Sequence, residues 1–178
     1  GVRVSGVHIR DLGFEYDQPT PAPGFVPNDT EYCLKFISAG DCKVTNVCML
    51  NHGRGLQVSG PDISNPSGRV DVDGLFGQPM YVGMNFDFTA DVCRIDNVHF
   101  WPFWSEDTNV MNYTRDNSWF IISARNDNLQ GTNWFGYAYN GIALTGSVGG
   151  VTSRMKLTNI EFDSTRRGFW ADTESDAA

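Results

Sequence analysis

Apolar and polar residues alternate in short runs along this chain, and one eight-residue version of that alternation returns six times. Its form is apolar-x-apolar-x-bend-apolar-x-apolar. Copies cover residues 7–14, 42–49, 70–77, 93–100, a weaker 129–136, and 155–162. The starts are 35, 28, 23, 36 and 26 residues apart. Each half alternates with period two, so each half predicts a short strand with one buried face. The fifth slot holds Asp11, Asn46, Gly74, Asn97, Asn133 and Asn159. These residue types tolerate a left-handed backbone most easily, so the chain is expected to bend there while the inward set continues beyond it.

A further strand is expected between consecutive copies. Its inward-outward-inward triplets read Leu34-Lys35-Phe36, Leu56-Gln57-Val58, Phe86-Asp87-Phe88, Phe120-Ile121-Ile122, Ile142-Ala143-Leu144 and Phe169-Trp170-Ala171. Glycine precedes three of them, as Gly55, Gly141 and Gly168. Three strands per repeat, wound repeatedly, predict an all-β parallel β-helix of about six coils with three sheets around one core. A β-sandwich fits less well, because hairpin signals are scarce. No segment shows helical periodicity or a capping box leading into an apolar run. The Pro-rich residues 19–28 and the insertion 101–119 read as long loops, and residues 171–178 as a polar, frayed tail. The whole chain reads as one domain, and its strand-like opening without Met suggests a piece of something longer.

Charge narrows the partners. With 13 Lys+Arg against 21 Asp+Glu the net charge is −8, which argues against nucleic acid and anionic membrane surfaces. No apolar stretch approaches the ~20 residues needed to span a bilayer, so no membrane insertion is expected. Cys33, Cys42, Cys48 and Cys93 lack zinc-ligand spacing. The repeat turns Cys42 and Cys93 into the core two coils apart, too far for a disulfide. Free thiols suit assembly in a reducing cytosol.

The repeats, their bend residues and the run Phe135-Gly136-Tyr137-Ala138-Tyr139-Asn140-Gly141-Ile142-Ala143-Leu144 resemble the pectate-lyase-like right-handed β-helix superfamily. Within it they look most like bacteriophage tailspike depolymerases. That resemblance implies a right-handed solenoid, a ladder of stacked Asn side chains at the bends, and a homotrimer. It also implies a bacterial surface polysaccharide as partner, and a virion tail or extracellular setting after cytosolic assembly. Substrate in such enzymes lies along the first sheet, whose outward column here is expected to be Lys35, Gln57, Asp87, Ile121, Ala143 and Trp170. Asp87 is then the candidate acid or base. Asp91, Glu106 or Asp107 would supply the second carboxylate that glycoside hydrolysis needs at ~5–9 Å. Lys35 or Arg115 would neutralise a uronic acid in a lyase. Trp101, Phe103, Trp104, Tyr113 and Trp119 crowd one insertion and suit either sugar stacking or a subunit contact.

The plain alternative leaves Asp87 a solvated strand residue and the loop acids ordinary surface. A second acidic cluster, Asp71, Asp73 and Asp96, follows from stacking. Asp73 and Asp96 are expected about one strand spacing apart, ~5 Å, which suits a general acid or a cation such as calcium. Lys43, Asp71 and Arg94 read equally as cross-strand charge pairing. No other cofactor and no metal site is expected. His52, within Asn51-His52-Gly53-Arg54-Gly55, lacks the paired aspartates that would make it catalytic. Two functions follow: a polysaccharide-binding or polysaccharide-cleaving segment, hydrolase or lyase, and a non-catalytic trimeric module of a virion or surface fibre.

Overall fold

A computed structural model describes residues 4–147, 150, 152 and 154–172. Most of the expected tail, residues 173–178, lies outside the described residues, as do Gly1 to Arg3. Residues 171 and 172 are strand. The strands are Val4–Ser5 (β1), His8–Phe14 (β2), Tyr32–Ile37 (β3), Ala39–Met49 (β4), Arg54–Ser59 (β5), Gly68–Gly77 (β6) and Val82–Asp87 (β7). Cys93–Phe100 (β8), the helix Thr108–Asn117 (α1), Trp119–Ser123 (β9), Leu129–Tyr137 (β10), Asn140–Thr145 (β11), Lys156–Asp163 (β12) and Phe169–Asp172 (β13) follow.

The protein is all-β with parallel strands in two sheets. The larger sheet runs β1-β4-β6-β8-β10-β12, with β2 also on β4, and the smaller runs β13-β11-β9-β7-β5-β3. From β2 onward the chain passes from one sheet to the other with every strand, and each strand pairs with those two places before and after it. Side chains from both sheets meet in one buried cluster that includes Phe36, Val44, Val72, Phe86, Ile95, Phe120 and Trp134.

All six repeat copies fall in the larger sheet, and all six bend residues have positive φ: Asp11 at 54°, Asn46 at 52°, Gly74 at 78°, Asn97, Asn133 and Asn159 at 55°. The expected three sheets become two for this reason. Pairing resumes in register after each bend, as in Thr45↔Asp73 followed by Val47↔Leu75, so the two halves of a copy belong to one bent strand. The bend side chains ladder in pieces. Asn46 donates to Asp11 at 2.9 Å, Asn159 to Asn133 at 2.7 Å, and Asn133 to Asp96 at 2.8 Å. Gly74 has no side chain to continue the run.

The smaller sheet corrects the expected outward column. Lys35 pairs with Gln57 and Gln57 with Asn85, not Asp87. Ile122, not Ile121, continues that column to Ala143 and Trp170. Asp87 pairs with Ser59, two residues further along the strand. The cause is a break in the alternation near the start of β5, β7, β9 and β11, where two consecutive residues are buried. Phe120 and Ile121 are both 0% exposed, and so is Met84 after Gly83. A Cβ on Gly83 would stand 2.2 Å from the Phe100 ring, so glycine there makes room for the core aromatics.

The insertion 101–119 also differs from expectation, since it contains α1. Asp107 caps that helix by accepting the Asn109 backbone N–H at 2.7 Å. Val110 and Thr114 are its buried face. Among the described residues no helix is long and apolar enough to cross a membrane.

Candidate functional site

Strands β3 and β5 set Lys35 and Gln57 side by side on the outer face of the smaller sheet. The chain entering β3 folds over the same face and is held there by its own side chains. Gln18 donates to the Asn51 carbonyl at 2.9 Å and accepts the Asn28 N–H at 2.9 Å. Gly53 admits the next segment: its N–H donates to the Thr30 hydroxyl at 3.0 Å, and a Cβ there would lie 2.8 Å from the Thr30 nitrogen. The result is a polar cleft of ≈ 550 Å³ lined by residues 29–32, Lys35, Arg54 and Gln57.

Charge in the cleft is paired. Arg54 holds Asp29 with two parallel bonds, Nε to Oδ1 at 2.9 Å and Nη2 to Oδ2 at 3.0 Å. Its guanidinium lies 5.8 Å from the Tyr32 ring centre and 5.9 Å from that of Tyr81. Lys35 donates to Glu31. The Tyr32 hydroxyl accepts from Asn85 Nδ2 at 3.0 Å. The bond from Arg54 holds the Asp29 carboxyl below its usual range, and the bond from Lys35 does the same for Glu31. Both cleft carboxylates are therefore ionised at neutral pH.

Sequence reasoning reached Lys35 and Gln57 but missed Tyr32, Arg54, Asp29, Glu31 and Asn85. One signal for Asn85 was present. Gly83 precedes Met84 as Gly55 precedes Leu56, and aligning those glycines puts Asn85 beside Gln57.

The other expected site residues separate. Asp87 Oδ1 accepts two backbone N–H groups, from Phe88 at 2.8 Å and Arg125 at 3.1 Å, where the chain leaves β7. Glu106 and Asp107 follow Ser105, whose backbone is tied to Gln78 ahead of β7. A six-residue strand, ~17 Å end to end, stands between them and Asp87. The expected carboxylate pair is not assembled. Asp91 instead pairs with Arg69 at 3.2 Å, and Arg69 also grips Asp41.

The two long loops pack on each other. Phe25, Met80 and Val110 form a small second core, with Tyr81, Trp104 and Tyr113 against it. Phe25 lies 6.3 Å from Trp104 and 6.1 Å from Tyr113, ring centre to ring centre. Burial is the largest cause raising the Tyr113 phenol above its ordinary value. Trp104→Ala should accordingly destabilise the fold by ~2–4 kcal/mol, read as a lower melting temperature. Loss of sugar affinity with unchanged stability would refute this placement. Arg115 pairs with Asp116 at 3.1 Å at the end of α1, and Arg166 joins them at 3.3 Å.

Trp101 belongs to a different cluster, on the outer face of the larger sheet. It lies 4.8 Å from Tyr137 and 6.0 Å from Phe135, while His99 sits 5.2 Å from Phe135 and 5.3 Å from Phe103. Asp73 and Asp96 are neighbours in register, as expected, and Asp71 meets Arg94 at 3.6 Å. Asp96 spends one oxygen on Asn133. A shallow hollow of ≈ 490 Å³ runs here between Arg94, Gln130 and Lys156 on one side and Asp96, Thr132 and Thr158 on the other. Among the described residues no three His, Cys, Asp or Glu side chains converge as a metal ion would need. His52 packs between Phe14 and Tyr16, and burial lowers its pKa. All four cysteines are free thiols, and burial pushes Cys33 up to about 12 and Cys93 up to about 11. Compared with known proteins, the chain matches no family model, no curated protein and no solved structure.

Proposed function

We propose that the protein is a segment of a right-handed parallel β-helix that binds a polysaccharide, in the manner of a phage tailspike recognising a bacterial surface glycan. The observation that carries this reading is the cleft beside Lys35 and Gln57. It offers planar hydrogen-bonding groups from Arg54 and Gln57, a tyrosine ring, and charges already neutralised in pairs. A sugar presents the complementary surface: many hydroxyls that both donate and accept, and C–H faces that lie on rings. The alternation of strands between two parallel sheets, with a left-handed bend at each repeat, is what a solenoid requires.

Binding is favoured over cleavage at this cleft. A general acid must hold its proton near the working pH, whereas Asp29 and Glu31 are both held in the ionised form by cationic partners. Replacing Lys35 or Gln57 with Ala should weaken an oligosaccharide from a capsular or lipopolysaccharide panel about tenfold, ~1.4 kcal/mol, by calorimetry. Asp87→Asn should leave binding unchanged, because the amide oxygen can still accept from Phe88 and Arg125. Asp29 has a depressed folded pKa, so its pairing with Arg54 is complete above the ordinary value of 3.8 and is lost as pH falls through the lower folded one. Affinity should therefore stay flat through neutral pH and fall only below 3.8. A decline centred near neutrality would exclude this cleft.

The second reading is a non-catalytic, trimeric structural module of a virion or surface fibre. Exposed apolar side chains at the outermost strands favour it: Leu12 is 48% exposed on β2 and Phe169 59% on β13. Under that reading the aromatic cluster at Trp101, Phe103 and Tyr137 would be the subunit contact. Binding of no oligosaccharide by the wild-type chain would select it.

A further inference from the structure

On the outer face of the larger sheet, side chains of neighbouring strands stand in columns, and two adjacent columns carry charges left out of balance. In the first, Lys43, Asp71, Arg94, Gln130 and Lys156 follow one another in register. Opposite charges on adjacent strands stabilise a sheet, and Asp71 lies between two cations, meeting Arg94 at 3.6 Å. Beyond Arg94 the alternation fails. Neutral Gln130 stands where an anion would separate Arg94 from Lys156. Lys156 makes no ion pair or hydrogen bond among the described residues, and the Arg94 side chain is 58% exposed.

The second column runs Thr45, Asp73, Asp96, Thr132 and Thr158. Its imbalance has the opposite sign. Asp73 and Asp96 are like charges on adjacent strands, ~5 Å apart, an arrangement that costs stability. Neither makes an ion pair among the described residues. Asp96 uses Oδ1 to accept from Asn133 at 2.8 Å and keeps Oδ2 free. One column therefore lacks an anion and the next lacks a cation.

We propose that the hollow between these columns binds a small zwitterion, an ammonium and a carboxylate on one carbon, as in a free α-amino acid. The two deficits face each other across that hollow of ≈ 490 Å³, with Ile95 and Gly131 between them. Two residues along a strand separate the columns by ~7 Å, so one small molecule reaches both. Its carboxylate lies over Gln130 and meets Arg94 and Lys156, completing the alternation of charge. Its ammonium meets Asp96 Oδ2. A simple anion would leave Asp96 unanswered and stand beside it, and a simple cation would do the same to Lys156. Exposed ion pairs are individually weak, so selectivity comes from making both at once. No residue lines both this hollow and the cleft at Lys35 and Gln57, and neither proposal depends on the other.

The test titrates the wild-type chain with L-alanine, with N-acetyl-L-alanine, which lacks the ammonium, and with L-alaninamide, which lacks the carboxylate. In nitrogen-15 NMR, L-alanine should shift the Gly131 and Thr132 amide resonances saturably. Each blocked derivative should bind about tenfold more weakly or worse. Asp96→Asn keeps the shape and the oxygen that accepts from Asn133. It should weaken L-alanine about tenfold and leave N-acetyl-L-alanine unchanged. Lys156→Gln should weaken L-alanine similarly and leave L-alaninamide unchanged. Lys43→Gln, outside the hollow, should alter none of the three. Absence of saturable shifts at Gly131 and Thr132, derivatives that bind as tightly as L-alanine, or variants that bind it as wild type does overturn the proposal. Should a variant fail to fold, the wild-type comparison of the three ligands decides by itself.

Discussion

Val72→Asp should cost on the order of 4 kcal/mol or more, a large part of the ~5–15 kcal/mol that holds a typical domain together. Val72 is 1% exposed and is paired between Val44 and Ile95, themselves 0% and 1% exposed. A carboxylate there has no cation within the apolar column to meet it. It would sooner take up a proton, so its folded pKa would be raised above the unfolded value. The destabilisation should therefore be fully present at neutral pH and shrink as pH falls through that raised value. Urea unfolding at several pH values reads both the size and the sign. Asp73→Asn, one residue along on the exposed outer face, should stay within about 0.5 kcal/mol of wild type. If Val72→Asp matches wild type at neutral pH, the inward assignment of the whole column from Ile9 to Leu157 is wrong.

That column was legible in the sequence because its bends leave a chemical trace. Asp, Asn and Gly tolerate positive φ, and the six bend positions are filled only by them. The bends at the other end of the same strands left only a broken trace. Asp41, Asn128, Arg69 and Arg154 all have positive φ, but arginine carries no such signature. Arg69 is held there by Asp41, its Nε at 2.6 Å from Oδ1. A contact between separate repeats is invisible to a local pattern. The smaller sheet was misread where period two fails, at Gly83-Met84 and Phe120-Ile121, and the first of these slips moved Asp87 into a column it does not occupy. Helix α1 was hidden for another reason. Its asparagines, threonines and aspartate are weak helix formers, and its stability comes from packing Val110 against Phe25 and Met80.

The candidate site was legible to the same degree as the strands beneath it. Lys35 and Gln57 lie on β3 and β5, where alternation holds, and the structure brings them together. Arg54 and Asp29 meet only because the Pro-rich segment folds back, and no periodicity encodes that. Trp104 shows the converse: a loop rich in aromatics was read as a surface for sugar or for a second subunit, whereas two of its five rings, Trp104 and Tyr113, close a second small core.

Among the described glycines, Gly77→Ala should be the most damaging alanine substitution, at about 3 kcal/mol or more. Two independent costs meet at this residue. Its φ is +144°, a conformation that side chains rarely adopt, and an added Cβ would stand 2.0 Å from the Met49 carbonyl oxygen and 2.6 Å from its carbon. Both clashing atoms are backbone on the adjacent strand β4, so relief requires β4 and β6 to part. The damage should spread, because the Gly77 carbonyl accepts the Trp101 N–H at 3.0 Å and the next residue, Gln78, ties down Trp104 and Ser105. For a domain of this length, 3 kcal/mol corresponds to a fall in melting temperature on the order of 10 °C. Gly13→Ala is the matched control on β2. Its φ is ordinary and nothing lies within 4 Å of the added carbon, so its melting should stay close to wild type. Equal melting of the Gly77→Ala and Gly13→Ala chains would mean that β4 and β6 do not approach as closely as the structure places them, and that the anchoring of the 101–119 insertion to that pair must be redrawn.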